Sequence, residues 1–154
     1  ARTEMEVIRE LADNEKAYRS ITLSWIQNSP LMEALKKIAE RKCKLIITTD
    51  HGTIKVKEPV KIVGDKNTNT NLRYKNGKSL SYAKREVFEV KNPADAGLPK
   101  IHLSTAYVFA KRDDFFAYPN NYNYYVSYYR NTFQHGGISP EEMIVPVITL
   151  QSKV

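Results

Sequence analysis

The clearest hydrophobic signal in the chain is Leu45-Ile46-Ile47, a short apolar run that follows a stretch of helical spacing and ends at Thr48-Thr49. An unbroken apolar run of this length suits a strand buried on both faces. Upstream, Thr3 to Tyr18 is helical in pattern, and Ile21 to Ile26 either extends that helix or forms a short strand. Pro30 opens a second helix through about Lys42, with Leu31, Leu35 and Ile38 on one face. Downstream, Thr53 to Val56, Val60 to Val63, Val87 to Val90 and His102 to Phe109 alternate or cluster β-branched and aromatic residues, and they read as strands. Gly64 to Asn71 is a polar loop, and Ile144 to Leu150 is a final apolar strand. The pattern predicts an α/β domain. No internal repeat appears, and no Pro/Gly/Ser linker divides the chain.

Length and composition narrow the picture. At 154 residues and 42% hydrophobic, the chain is long enough for one sizeable core and short of two, so residues 1–154 are expected to form a single unit. No apolar run approaches a membrane span, and a signal-peptide pattern is lacking. The one cysteine, Cys43, excludes an internal disulfide and fits a reducing cytoplasm. A formal charge of +7 favours anionic partners such as phosphate esters or nucleotides. The basic residues are scattered rather than gathered, so charge alone does not support a nucleic-acid groove.

The candidate chemistry lies just past the apolar run, at Thr48-Thr49-Asp50-His51-Gly52, and is answered far downstream by His135-Gly136-Gly137. An Asp and a His in succession at the carboxyl end of a strand fall where α/β sheets bind ligands. A carboxylate oxygen and a neutral imidazole nitrogen suit zinc or manganese. Gly52 lets the chain turn sharply behind them. Ser139-Pro140-Glu141-Glu142 follows the second motif as a helix start. There Ser139 is the cap and the acids fall in the first turn, which explains them better as helix architecture than as metal ligands.

Ile47-Thr48-Thr49-Asp50-His51-Gly52 resembles the T-(S/T/A)-D-H-G signature of the alkaline phosphatase superfamily. Phe133 to Pro146, built around His135-Gly136-Gly137, is similar to that superfamily's C-terminal His element. Asn69 to Lys75 and Tyr118 to Asn123 resemble the PglZ branch, most closely the PglZ effector domain of the response regulator that serves type IX secretion in Bacteroidetes. The resemblance covers nearly all of the chain. It implies an alkaline-phosphatase-like sheet flanked by helices and a metal-dependent phosphohydrolase or phosphodiesterase. It also implies two divalent ions, with zinc expected and manganese as the alternative. By the same resemblance Asp50 and His51 belong to the ion that activates the nucleophile, and His135 to the other. A sensor kinase and transcription machinery are the implied partners of the parent regulator, and a dimer is compatible with it.

The chain also departs from the superfamily pattern. The upstream Asp, the Thr or Ser nucleophile and the D-x-x-x-H element are not found, and the first residues read as a helix in mid-flow. The expectation is therefore the C-terminal part of a catalytic domain, with the receiver and the catalytic half upstream. A regulatory module that kept the fold to sense metal or nucleotide is the competing reading.

Other residues invite a role. Arg73, a planar fork matched to phosphate oxygens, and Asn71, an amide donor, are the candidates for substrate contact, against the plainer reading of a solvated hairpin. Asp113 and Asp114 read as a turn or helix start. The run from Tyr118 to Tyr129 reads as core packing in preference to a base-stacking face. His102 reads as an ordinary strand residue.

Overall fold

A computed structural model describes residues 14–100 and 105–153. The contacts gather the chain into two compact units rather than the one core read from its length. One unit runs through Thr49 and resumes from Pro146; the other is Asp50–Val145.

Among the described residues the first unit holds two helices and a two-stranded ribbon. Helix α1 (Glu15–Asn28) starts at Asn14, whose extended backbone and side-chain oxygen, accepting from the Ala17 amide, cap it. The helical pattern therefore does not run unbroken to Tyr18. Residues Thr3 to Asp13 of that expected helix lie outside the described residues. Ile21 to Ile26 continues α1. Pro30 forces Ser29 out of helical geometry and opens α2 (Pro30–Glu40). Leu35 and Ile38 line a shallow groove with Leu45 and Leu150, while Leu31 faces outward. Strand β1 (Lys44–Thr48) pairs antiparallel with β10 (Val147–Gln151). The expectation of a strand buried on both faces is corrected here. Ile46 is 57% exposed and Ile148 48%, because β10 is the only strand neighbour of β1 among the described residues and a two-stranded ribbon leaves its faces open.

The second unit is a mixed arrangement of short strands. These are β2 (Ile54–Lys55), β3 (Glu58–Val63), β4 (Tyr74–Gly77), β5 (Ser81–Tyr82), β6 (Val87–Val90), β7 (Ala106–Ala110), β8 (Asp114–Ala117) and β9 (Phe133–Gln134), with helices α3 (Tyr122–Tyr129) and α4 (Pro140–Met143). Two three-stranded sheets, β5-β3-β8 and β4-β7-β6, form its body, and β3 and β8 run parallel while the other pairs are antiparallel. Adjacent strand residues point to opposite faces. Phe116 accordingly joins Val60, Ile62 and Val108 in one buried cluster, while its neighbour Phe115 joins Val56 and Ala117 in a second. The sheet containing β8 is thus covered on both faces. Asp113 and Asp114 sit where β8 begins, so the carboxylate pair belongs to a turn and strand start, not a helix start.

Helix α3 divides the tyrosine run. Tyr122, Val126 and Tyr129 pack on the second cluster. Tyr124 and Tyr128 are more than half exposed and stack on each other, with ring centres 6.2 Å apart. The expected core role holds for the first set and fails for the second, because a helix of 3.6 residues per turn on a sheet buries only one stripe.

Candidate functional site

Every described site residue lies in the second unit. Strand β2 pairs with β9 through two residues only, Ile54 opposite Gln134 and Lys55 opposite Phe133. That short ladder brings the Asp50-His51-Gly52 turn beside the His135-Gly136-Gly137 turn. The His51 and His135 rings stack, with centroids 3.9 Å apart and planes inclined by 9°.

The hydrogen bonding of His51 fits the pattern of a ligating imidazole. Its Nδ1 lies 2.9 Å from the Gly52 carbonyl oxygen, an acceptor only, so Nδ1 carries the proton. In the neutral ring Nε2 is then left with the lone pair, the arrangement in which a ligating imidazole is held through its other nitrogen. Nε2 lies 3.7 Å from Asp50 Oδ1. Two ligands on one tetrahedral zinc span about 3.4 Å, given bonds near 2.1 Å. Asp50 and His51 thus fit as part of a zinc-type donor set. Among the described residues no group of three or more His, Cys, Asp or Glu is gathered, and the two alone fall short of the three or four protein ligands of a stable zinc site.

Asn71 and Arg73 are placed differently from their expected role in substrate contact. Arg73 is fully buried. Its Nε and Nη2 each donate to Glu142, at 2.9 Å to Oε1 and 2.9 Å to Oε2. Nη2 also donates to the Arg112 carbonyl at 2.7 Å, and Nη1 donates to the Asp114 carbonyl. The fork that would match a phosphate is filled by protein acceptors, and this corrects the reading of Arg73 as a substrate contact. Asn71 turns towards the second motif. Its Nδ2 donates to the His135 carbonyl at 3.2 Å, and its Oδ1 accepts from the Arg73 and Tyr74 amides.

Glu142, which sequence reasoning set aside as helix architecture, does close the first turn of α4 by accepting from the Ser139 amide at 3.2 Å. It also accepts from the Gly137 amide at 2.9 Å. Burial pushes its carboxyl up, and the hydrogen bonds from Arg73 and then Gly137 outweigh that and leave it below the ordinary glutamate range. The signal that could have found it is a Glu three residues after a capping Ser, directly following a Gly-Gly turn.

Close approach explains the glycines. A Cβ on Gly52 would fall inside the Glu141 carbonyl, and one on Gly137 would lie 2.5 Å from Glu142 Oε2. Gly136 has φ of +101°, where only glycine sits without strain.

Nearby charged groups have local partners. Lys57 holds Asp113 at 2.7 Å and draws its carboxyl down, while burial pushes Asp114 up. Lys75 Nζ donates to the Asn69 carbonyl and lies 4.7 Å from the Tyr118 ring centre, and burial lowers it to about 8. The two segments of PglZ-like sequence, Asn69–Lys75 and Tyr118–Asn123, therefore meet through Lys75 and Tyr118. His102 lies outside the described residues, and Cys43 is an exposed free thiol.

The family match supplies the class that this mixed helix–strand unit belongs to, an alkaline phosphatase-like, phosphoesterase-type domain. Residues 2–150 match the family described as the BREX system PglZ alkaline phosphatase-like domain, and the chain belongs to that family. A search of curated proteins finds no match. Among the described residues no helix is long and apolar enough to cross a membrane.

Proposed function

We propose that this chain is part of a metal-dependent phosphodiesterase or phosphohydrolase domain in which Asp50 and His51 hold one divalent ion and His135 helps hold a second. The observation that carries the reading is the His51–His135 stack. An imidazole lone pair lies in its ring plane, so two parallel rings cannot aim at one ion between them. Rings stacked in this way suit two neighbouring ions, one to each imidazole, as two-metal phosphoryl-transfer sites use. Bound there, such ions would activate an attacking group and stabilise charge on the phosphoryl oxygens. The chain's own contribution is to present the three ligands from two turns of fixed geometry, with the His51 tautomer set by Gly52.

The finer context follows from the resemblance of Asn69–Lys75 and Tyr118–Asn123. It supports an effector domain of a two-component response regulator controlling secretion, working in the cytoplasm with a sensor kinase and transcription machinery. The attacking Thr or Ser, the D-x-x-x-H pair and the receiver belong to upstream sequence in this reading, and the substrate is a phosphate ester or nucleotide.

The test is metal content by emission spectroscopy beside hydrolysis of a chromogenic phosphodiester, for the full-length polypeptide and its Asp50→Ala, His51→Ala and His135→Ala variants. Each variant is expected to lose metal and rate together while keeping its fold. Bound metal without hydrolysis would favour a sensing module. A His135→Ala variant with full metal and full rate would remove the two-turn site.

A further inference from the structure

Two turns 84 positions apart in the chain must hold their imidazoles face to face, and the β2–β9 ladder that joins them is only two residues long. So short a ladder leaves the turns beyond it free to splay. We propose that Glu142, fixed by Arg73, is the positioning residue that sets His51 against His135. The proposal rests on the reading of those histidines as metal ligands.

Glu142 bonds to both turns at once. Its carboxylate accepts from the Gly137 amide, two residues past His135, at 2.9 Å. Its backbone carbonyl accepts from the Gly52 amide, one residue past His51, at 2.8 Å. Any displacement of Glu142 therefore moves both histidine-bearing turns together. Gly52 and Gly137 have no room for a Cβ at these contacts, so the backbones approach as closely as they can.

The carboxylate itself is buried and saturated. A carboxylate offers about four acceptor directions, and Arg73 Nε, Arg73 Nη2, the Gly137 amide and the Ser139 amide fill them. With its side chain 1% exposed, it has no lone pair to offer an ion or a substrate, so its action is through position. Arg73 passes that position to the core. Its remaining bonds go to the Arg112 and Asp114 carbonyls at the turn between β7 and β8, whose residues Phe115 and Phe116 are buried in both clusters. Asn71 adds a second fastening on the His135 carbonyl, oriented by the Arg73 and Tyr74 amides.

The experiment uses the 154-residue chain for nuclear magnetic resonance, the full-length polypeptide for Zn2+ binding, the Glu142→Gln and Arg73→Lys variants of each, and Zn2+ alone as the probe. The chain has three histidines, so the ring protons can be assigned, and His51 and His135 are expected to show an inter-ring nuclear Overhauser effect. Glu142→Gln is expected to keep its amide dispersion and circular dichroism, lose that effect and bind Zn2+ about 10–100-fold more weakly, as when support of a ligand is removed. Arg73→Lys, which keeps the buried positive charge but cannot bond both carboxylate oxygens, is expected to weaken both signals and decides the matter should Glu142→Gln fail to fold. Variants that keep the inter-ring effect at full strength overturn the proposal. A wild-type protein that shows the effect and, as the full-length polypeptide, binds no Zn2+ overturns the metal reading instead, and the loss of the effect in the variants still tests the positioning.

Discussion

The Arg73 guanidinium and the Glu142 carboxylate form a two-pronged ion pair, 69 residues apart in the chain, with both side chains sealed from solvent. Two parallel N–H···O bonds of 2.9 Å give it the geometry in which Arg and a carboxylate bind most strongly. A buried pair of this kind adds little net stability over an apolar replacement, because both charges have been desolvated. Removing one partner is costly, since the other is left buried and uncompensated.

Arg73→Ala is accordingly expected to destabilise the Asp50–Val145 unit by about 3–5 kcal/mol, seen as a lower midpoint in urea. Arg73→Lys should recover only part of this, because an ammonium cannot make the paired bonds. A variant with unchanged stability and a raised KM would restore Arg73 as a substrate contact.

Acid should loosen the same unit. Glu142 is held below the ordinary glutamate value of about 4.3 in the folded state, so the unfolded chain takes up its proton first as pH falls. Its contribution is complete above that ordinary value and is lost as pH drops through the depressed folded one. Urea midpoints across the acid range, with Glu142→Gln as the comparison, should show the wild-type chain losing this increment and the variant lacking it throughout.

Lys75 predicts that the unit tightens in alkali. Burial lowers it to about 8, so between there and its unfolded value the unfolded chain binds more protons, and stability rises with pH. The gain should be on the order of 1–3 kcal/mol and absent in Lys75→Met, provided the scan stays below the range where tyrosines ionise. A flat wild-type profile from pH 8 to about 10 would show that the charge is already relieved.

Helix α3 should answer to truncation by face. Tyr128→Ala removes an exposed ring and is expected to cost less than about 1 kcal/mol. Val126→Ala takes a half-buried side chain from the Phe115 cluster and should cost more. Thermal melts of the two variants compare them, and equal losses would mean that the exposed tyrosines are part of the core.

The elements with dense local signals were legible in the chain. Val87–Val90 is a strand within its expected bounds, Pro30 opens a helix, and Ser139 caps the one that starts at Pro140. Each depends on a few neighbouring residues: β-branching, a fixed φ, a glutamate side chain that accepts from a backbone amide three residues earlier. The pairing of the Asp50-His51-Gly52 and His135-Gly136-Gly137 turns was legible through resemblance, whereas their stacked geometry was not. Arg73 shows why. A guanidinium reads the same in sequence whether it faces water, a phosphate or a buried carboxylate, and only the fold brings Glu142, Arg112 and Asp114 within its reach. The apolar run at Leu45-Ile46-Ile47 likewise fixed a strand, but its burial depends on which neighbours lie over it, and pairing with β10 alone leaves it open. Local chemistry determined the pieces and the candidate ligands they carry. Which polar groups satisfy one another, and which apolar faces are covered, are set by contacts between residues far apart in the chain, and the tertiary structure alone decided them.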